Sequence, residues 1–154
     1  MQKDSTRDYI TEAFRFYAAA GKPTYDTAVQ RVKQDALEKY IQLDPAIAEE
    51  QADIAVAKAA PKLLDILAVN ETIKLLENGG KQHIIAAVKA VYFTSPTKPL
   101  RRGDISARVN SFSLTFPAEE RTVYRWLKEA RLLCAAVRGL RISEQDAALY
   151  SIVI

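Results

Sequence analysis

Arg121, Arg125 and Lys128 stand at i, i+4 and i+7 of one uninterrupted stretch, with Tyr124 beside them. On a helix, residues so spaced share a face. Two guanidinium forks on one face can each grip the O6 and N7 of a guanine, and an ammonium group further along suits a phosphate oxygen. The opposite side is apolar. Val123, Leu127, Ala130, Cys134 and Val137 follow one another at spacings of 4, 3, 4 and 3, and Trp126 and Leu133 widen the stripe. A helix divided in this way can enter a major groove while its other side packs on a core. Glu129, four residues beyond Arg125, equally suits an exposed salt-bridged helix, so the spacing alone leaves both uses open.

Other chemistry has little to work with. The chain has one histidine, His83, and one cysteine, Cys134, and no CxxC or HExxH spacing, so a metal centre is not expected. Gly79-Gly80 lacks the Lys-Ser/Thr that follows a phosphate loop. The adjacent carboxylates Glu49-Glu50 and Glu119-Glu120 read as solvated pairs. No nucleophile, base and orienting group can be assembled around one histidine. An enzyme is not expected, nor a cofactor. Cys134, on an apolar helical face, reads as a small hydrophobe.

Charge divides the chain. Residues 1–80 carry 10 Lys and Arg against 13 Asp and Glu, a net of −3, whereas residues 81–141 carry 12 against 4, a net of +8. Glu144 and Asp146 make residues 142–154 acidic again. A basic segment of this size has the electrostatic footprint expected of a phosphate binder.

The elements that must position these groups are helices. The chain is rich in good helix formers, and strand-like runs of β-branched residues are nearly absent. The spacing predicts helices over 5–20, capped by Ser5 with Tyr9, Ala13, Phe16 and Ala20 inward and Tyr17 widening that face, and over 24–42, with Ala28, Val32, Ala36 or Leu37, Tyr40 and Leu43 inward. Asp44-Pro45 opens an alanine-rich helix, which Pro61 either ends or kinks. Asn78-Gly79-Gly80 stops the next stretch, and a further helix over 81–93 turns Ile84, Ile85, Val88 and Val91 or Tyr92 inward. After a loop at 94–99, Asp104 can cap the next helix. Tyr9, Phe14, Phe16, Tyr17, Tyr25 and Tyr40 read as core residues. The expected architecture is all-α: an acidic helical bundle over 1–80 docked on a basic helix-turn-helix region over 81–141, then an apolar tail over 142–154.

The string Glu120-Arg121-Thr122-Val123-Tyr124-Arg125-Trp126-Leu127-Lys128-Glu129-Ala130 resembles the recognition helix of a sigma-factor region 4 type helix-turn-helix. It is most similar to the versions in small phage-encoded regulators of late transcription in Gram-positive bacteria, which share the acidic front half. The resemblance covers residues 104–138. It implies that Phe112, Phe116, Ala118, Val123 and Trp126 are buried, that Ser113 allows close helix approach, and that Glu119, Glu120, Arg121, Tyr124, Arg125 and Lys128 face DNA. Pro117 stands where the turn favours Gly, and Glu119 where a Ser, Thr or Asp cap is usual. A second register begins the first helix at Asp104, with Ile105 and Val109 inward and a long turn over 111–116.

On this reading Arg121 and Arg125 read guanines, Glu120 accepts from a cytosine amino group, and Lys128, Arg131, Arg108, Arg101 and Arg102 hold phosphates. The expected function is a sequence-specific DNA-binding regulator of transcription acting through a helix over 118–137. Double-stranded DNA is the partner, and the resemblance implies RNA polymerase as another. The rival is an interaction or phage-assembly adaptor whose basic face meets an acidic protein. The tail Ala147-Ala148-Leu149-Tyr150-Ser151-Ile152-Val153-Ile154 should dock on its own chain or on a second copy in a homodimer. No signal peptide or membrane span is read, so a cytoplasmic setting is expected.

Overall fold

The computed structural model describes residues 4–140. Within them are six helices and no strand: α1 (Ser5–Ala19), α2 (Tyr25–Tyr40), α3 (Pro45–Asn78), α4 (Gln82–Val91), α5 (Asp104–Thr115) and α6 (Glu120–Arg138). The all-α class follows from the sequence as expected. The apolar tail and its docking lie outside the described residues.

Local signals set most of the helix ends. The Thr24 side chain accepts from the Thr27 N–H, and the Asp44 side chain accepts from the Ala46 N–H with Pro45 at the first helical position. At α1 the cap is Asp4 rather than Ser5, its Oδ1 accepting from the Arg7 N–H at 2.9 Å. Asp caps as well as Ser and adds a negative charge at the positive end of the helix dipole. Asp104 is not a cap either. Gly103 holds the cap position at φ +89°, where a side chain would be strained, and Asp104 Oδ2 accepts from the Arg101 N–H at 2.7 Å.

Pro61 does not end α3, which runs through it for 34 residues. Proline removes one N–H from the ladder, and the helix continues because its later half is gripped on several sides. Leu63, Ile66, Ala68, Val69 and Leu76 enter a core shared with α1, α4, α5 and α6. Ala48 and Ala52 of the earlier half are buried outside that cluster, along with Ala36 of α2.

The core crosses the change of charge at Gly79-Gly80. Phe14 of α1 stacks on Tyr92 with centroids 5.5 Å apart, and Tyr17 meets Phe93 at 5.5 Å. Ala13 and Tyr17 of the expected face of α1 are buried, but Ile10 and Phe14 complete the buried side in place of Tyr9, Phe16 and Ala20. Both stripes are apolar, and the aromatic partners Tyr92 and Phe93, just past the end of α4, select between them. Tyr9 stays 40% exposed and Leu43 is 71% exposed, so neither is a core residue.

Candidate nucleic-acid interface

The basic face sits on α6. Gly139 ends that helix at φ +82°. Val123, Leu127, Ala130 and Cys134 are fully buried, as their spacing predicts, and Leu133 is nearly so. Val137, the last member of the stripe, is partly exposed. Arg121, Tyr124, Arg125 and Lys128 lie on the exposed side. From Arg121 to Lys128 the helix rises about 10 Å, close to three base steps along one strand of a duplex.

The helix before it is the element on which sequence reasoning was divided, and the structure combines the two registers. α5 begins at Asp104 and buries Val109, as in the second register, but it continues to Thr115 and leaves a short turn at Phe116, Pro117, Ala118 and Glu119. Side chains explain the extra turn of helix. Ser113 Oγ donates to the Asn110 carbonyl at 2.8 Å and Thr115 Oγ1 to the Phe112 carbonyl at 3.2 Å. Phe112 stacks on Phe116 with centroids 5.0 Å apart.

Aromatic side chains then join α5 to α6 and α4. Phe116 meets the Trp126 ring edge-on at 5.7 Å, and His83 of α4 meets the same ring at 4.7 Å. Trp126, Phe112, Phe116 and Ala118 are partly buried around the main core rather than fully enclosed. Neither His83 nor its contact has a signal in the local sequence, since it depends on how α4 crosses α6.

Three of the expected contact residues serve the fold as well. Glu120 Oε1 accepts from Asn110 Nδ2 at 2.6 Å, which ties the first turn of α6 to α5. Arg131 Nη1 donates to the Tyr92 hydroxyl at 2.7 Å, and Arg108 Nη1 donates to the Val91 carbonyl at 2.8 Å. Glu129, expected beside Arg125, pairs with Lys81 at 2.8 Å and so links α6 to the start of α4. Asn110 and Lys81 were both missed by sequence reasoning, because their partners are 10 and 48 residues away.

Arg101 and Arg102 are exposed ahead of α5, at the end remote from the α5–α6 turn. The length of α5 alone separates them from that turn by about 18 Å. Arg101 and Arg108 line a shallow hollow with Lys98 and Asp104. The loop that carries Lys98 is held from behind by Arg15. That guanidinium is buried and donates to the backbone carbonyls of Ser95, Pro96 and Lys98, with a salt bridge to Glu12 at 3.2 Å.

No protein-family model, curated protein or solved structure matches this chain.

The rear end of α6 is anchored by charge. Arg138 Nε donates to Asp65 Oδ1 of α3 at 2.8 Å, and the Tyr9 hydroxyl of α1 donates to the same oxygen at 2.7 Å. Asp65 raises the Arg138 pKa by accepting this bond, against the opposing effect of partial burial. Burial, then the bond to Asp65, raises that of the Tyr9 phenol. Nearby, burial pushes the Cys134 thiol up to about 12, only partly offset by a hydrogen bond with Thr72. A thiol held neutral in this way is a poor nucleophile. Among the described residues no group of three or more His, Cys, Asp or Glu is arranged to hold a metal ion, and no helix is long and apolar enough to cross a membrane.

Proposed function

We propose that the chain is a sequence-specific DNA-binding regulator of transcription of the phage or prophage type, with α6 as the helix that enters the major groove. The observation that carries this reading is the division of α6. Val123, Leu127, Ala130 and Cys134 on its apolar side are fully buried, while Arg121, Tyr124, Arg125 and Lys128 project from its exposed side after a short turn from α5. Such a helix offers its cationic edge to a groove without giving up packing.

Roles divide by geometry. Arg121 and Arg125 have the planar donors that guanine edges accept. Tyr124 can meet a thymine methyl or a phosphate. Lys128, Arg101 and Arg102 supply charge to the backbone, with Arg108 and Arg131 contributing from positions already committed to Val91 and Tyr92. Glu119 and Glu120 repel phosphate at the first turn, so the backbone contacts belong further along α6 and at the α5 loop. Double-stranded DNA is the partner, and RNA polymerase is the second partner that a sigma-like factor would meet.

The test is selection of genomic fragments by the purified chain, followed by binding to the best fragment at two salt concentrations. One short enriched motif is expected. Arg125→Ala is expected to relax preference at one position and to weaken binding by about 1–3 kcal/mol. Lys128→Ala is expected to weaken all sequences alike and to lower the salt slope by about 1. If Arg125→Ala left both preference and affinity intact, α6 would not be the reading helix. Salt-sensitive binding with no enriched motif would favour an interaction protein instead.

A further inference from the structure

The loop between α4 and α5 gathers cations and almost no acid. From residue 78 to 118 the one carboxylate is Asp104, while Lys81, Lys89, Lys98, Arg101, Arg102 and Arg108 supply positive charge. Three of these cations meet at one hollow of about 340 Å³, which Lys98, Arg101, Asp104 and Arg108 line together with Ser95 and Pro99. Three cations against one carboxylate leave its walls a net charge of +2. Among the described residues, none of the three forms a salt bridge.

The backbone around the hollow is arranged not to oppose an anion. Carbonyl oxygens are the loop groups that repel negative charge. Those of Ser95, Pro96 and Lys98 accept from Arg15, a buried guanidinium that does not line the hollow. The same bonds hold the loop in one shape, with Ser95 at φ +46°, a left-handed conformation that serine adopts at some cost. Arg108 Nη1 donates to the Val91 carbonyl at 2.8 Å, which fixes that guanidinium at the wall with further N–H donors to offer.

Asp104 decides which anion fits. Its Oδ2 accepts from the Arg101 N–H at 2.7 Å, and a carboxylate keeps further lone pairs for another donor. A nucleic-acid phosphodiester is a monoanion with no proton to give, so it meets Asp104 only as a repulsion. Hydrogen phosphate balances the charge of the walls and carries a hydroxyl that can donate to Asp104. A phosphomonoester, at about −1.5 to −2 near neutral pH, can keep one proton in the same place.

We propose that this hollow binds a free phosphate group, either inorganic phosphate or the terminal phosphate of a small molecule. Lys98, Arg101 and Arg108 are its cationic partners, and Asp104 accepts its proton in a hydrogen bond. The site does not rest on the DNA-binding reading. It shares Arg101 and Arg108 with the backbone contacts assigned there, so an occupied hollow withdraws two cations from DNA.

The test is titration of the full chain with inorganic phosphate, phenyl phosphate, sulfate and dimethyl phosphate at constant ionic strength and neutral pH, followed by amide chemical shifts. Inorganic phosphate is expected to give saturable shifts confined to residues 94–108. Sulfate and dimethyl phosphate, which have no proton to donate, are expected to bind about tenfold more weakly. Lys98→Ala and Arg101→Ala are each expected to weaken phosphate about tenfold, the scale for losing a hydrogen bond to a charged group. Asp104→Asn is expected to abolish the preference for phosphate over sulfate. Lys89→Ala removes a cation of the same acid-free stretch from outside the hollow and is expected to leave binding unaltered. Circular dichroism of each variant checks that its helices persist. Binding of phenyl phosphate as tight as that of inorganic phosphate would assign the hollow to a phosphorylated small molecule, and binding of inorganic phosphate alone would assign it to the free ion. Equal binding of dimethyl phosphate or sulfate, shifts spread along α6, or indifference to both Lys98→Ala and Arg101→Ala would overturn the proposal. A genomic selection that enriched no motif would count against the DNA-binding reading and leave these results standing.

Discussion

The two ends of α3 are packed in opposite styles. Beyond Pro61 the helix presents Leu63, Ile66, Val69 and Leu76 to a core shared with α1, α4 and α6. Before Pro61 it presents Ala48 and Ala52 to α2, which brings Ala36. Branched and aromatic side chains interlock, bury much apolar area and fix how helices cross. Alanines let two backbones approach closely but bury little area each. One end of α3 is thus the platform on which α6 rests, and the other belongs to a two-helix extension that leaves Ile41, Leu43, Ile47 and Ile54 exposed. The comparison separates the packing that holds α6 from the packing that joins α2 to α3.

The sharpest way to break that comparison is in the platform. Leu127→Ala empties a fully buried position of α6 and is expected to cost about 2–5 kcal/mol. Urea unfolding would measure it, and the loss should be global. A cost below that of a surface change would mean that α6 is not held by this core. Pro61→Ala acts at the junction with the opposite sign. It restores the missing N–H inside α3 and is expected to stabilise by up to about 3 kcal/mol, the propensity difference in a helix interior. No gain in the same unfolding assay would mean that the two halves of α3 already accommodate the proline.

In the extension, Ala52→Leu is expected to overpack the close approach to α2 at about 1–3 kcal/mol. Amide exchange should then quicken in α2 and in α3 before Pro61, with α4 and α6 keeping their protection. Loss of protection in α4 and α6 would show one cooperative unit in place of two.

The smallest effect at neutral pH comes from the groups buried beside the platform. Burial raises the Cys134 thiol from its ordinary 9.0 to about 12, and burial also raises the Tyr17 phenol. The folded chain holds these protons more tightly than the unfolded one. Their contribution is therefore complete below the ordinary values and is lost as pH climbs through the raised ones. Stability is expected to be unaffected by these groups up to pH 9.0 and to fall from there toward about 12. Urea melts across that range would check it, and Cys134→Ala should remove the first part of the fall.

How much of this was legible varied with the range of the interaction involved. The face of α6 was legible because one stripe of Val123, Leu127, Ala130 and Cys134 admits one buried side. The cap at Asp44 was legible because its partner lies two residues away. The face of α1 was not, since Tyr9-Phe16 and Ile10-Phe14 make two overlapping apolar stripes and only Tyr92 and Phe93 decide between them. The length of α5 was not legible either, because the bond from Asn110 to Glu120 and the edge-on contact of Phe116 with Trp126 form only when α5 and α6 fold together.

By itself the sequence determined the helical class, the acidic and basic halves and the two sides of α6, because periodicity and charge are properties of the chain before it folds. Only the tertiary structure decided that α3 would run through Pro61, that Glu129 would pair with Lys81 and not Arg125, and that Arg138 and Tyr9 would meet on Asp65. Those outcomes depend on which helices arrive side by side, and a contact between residues tens of positions apart has no local pattern to announce it.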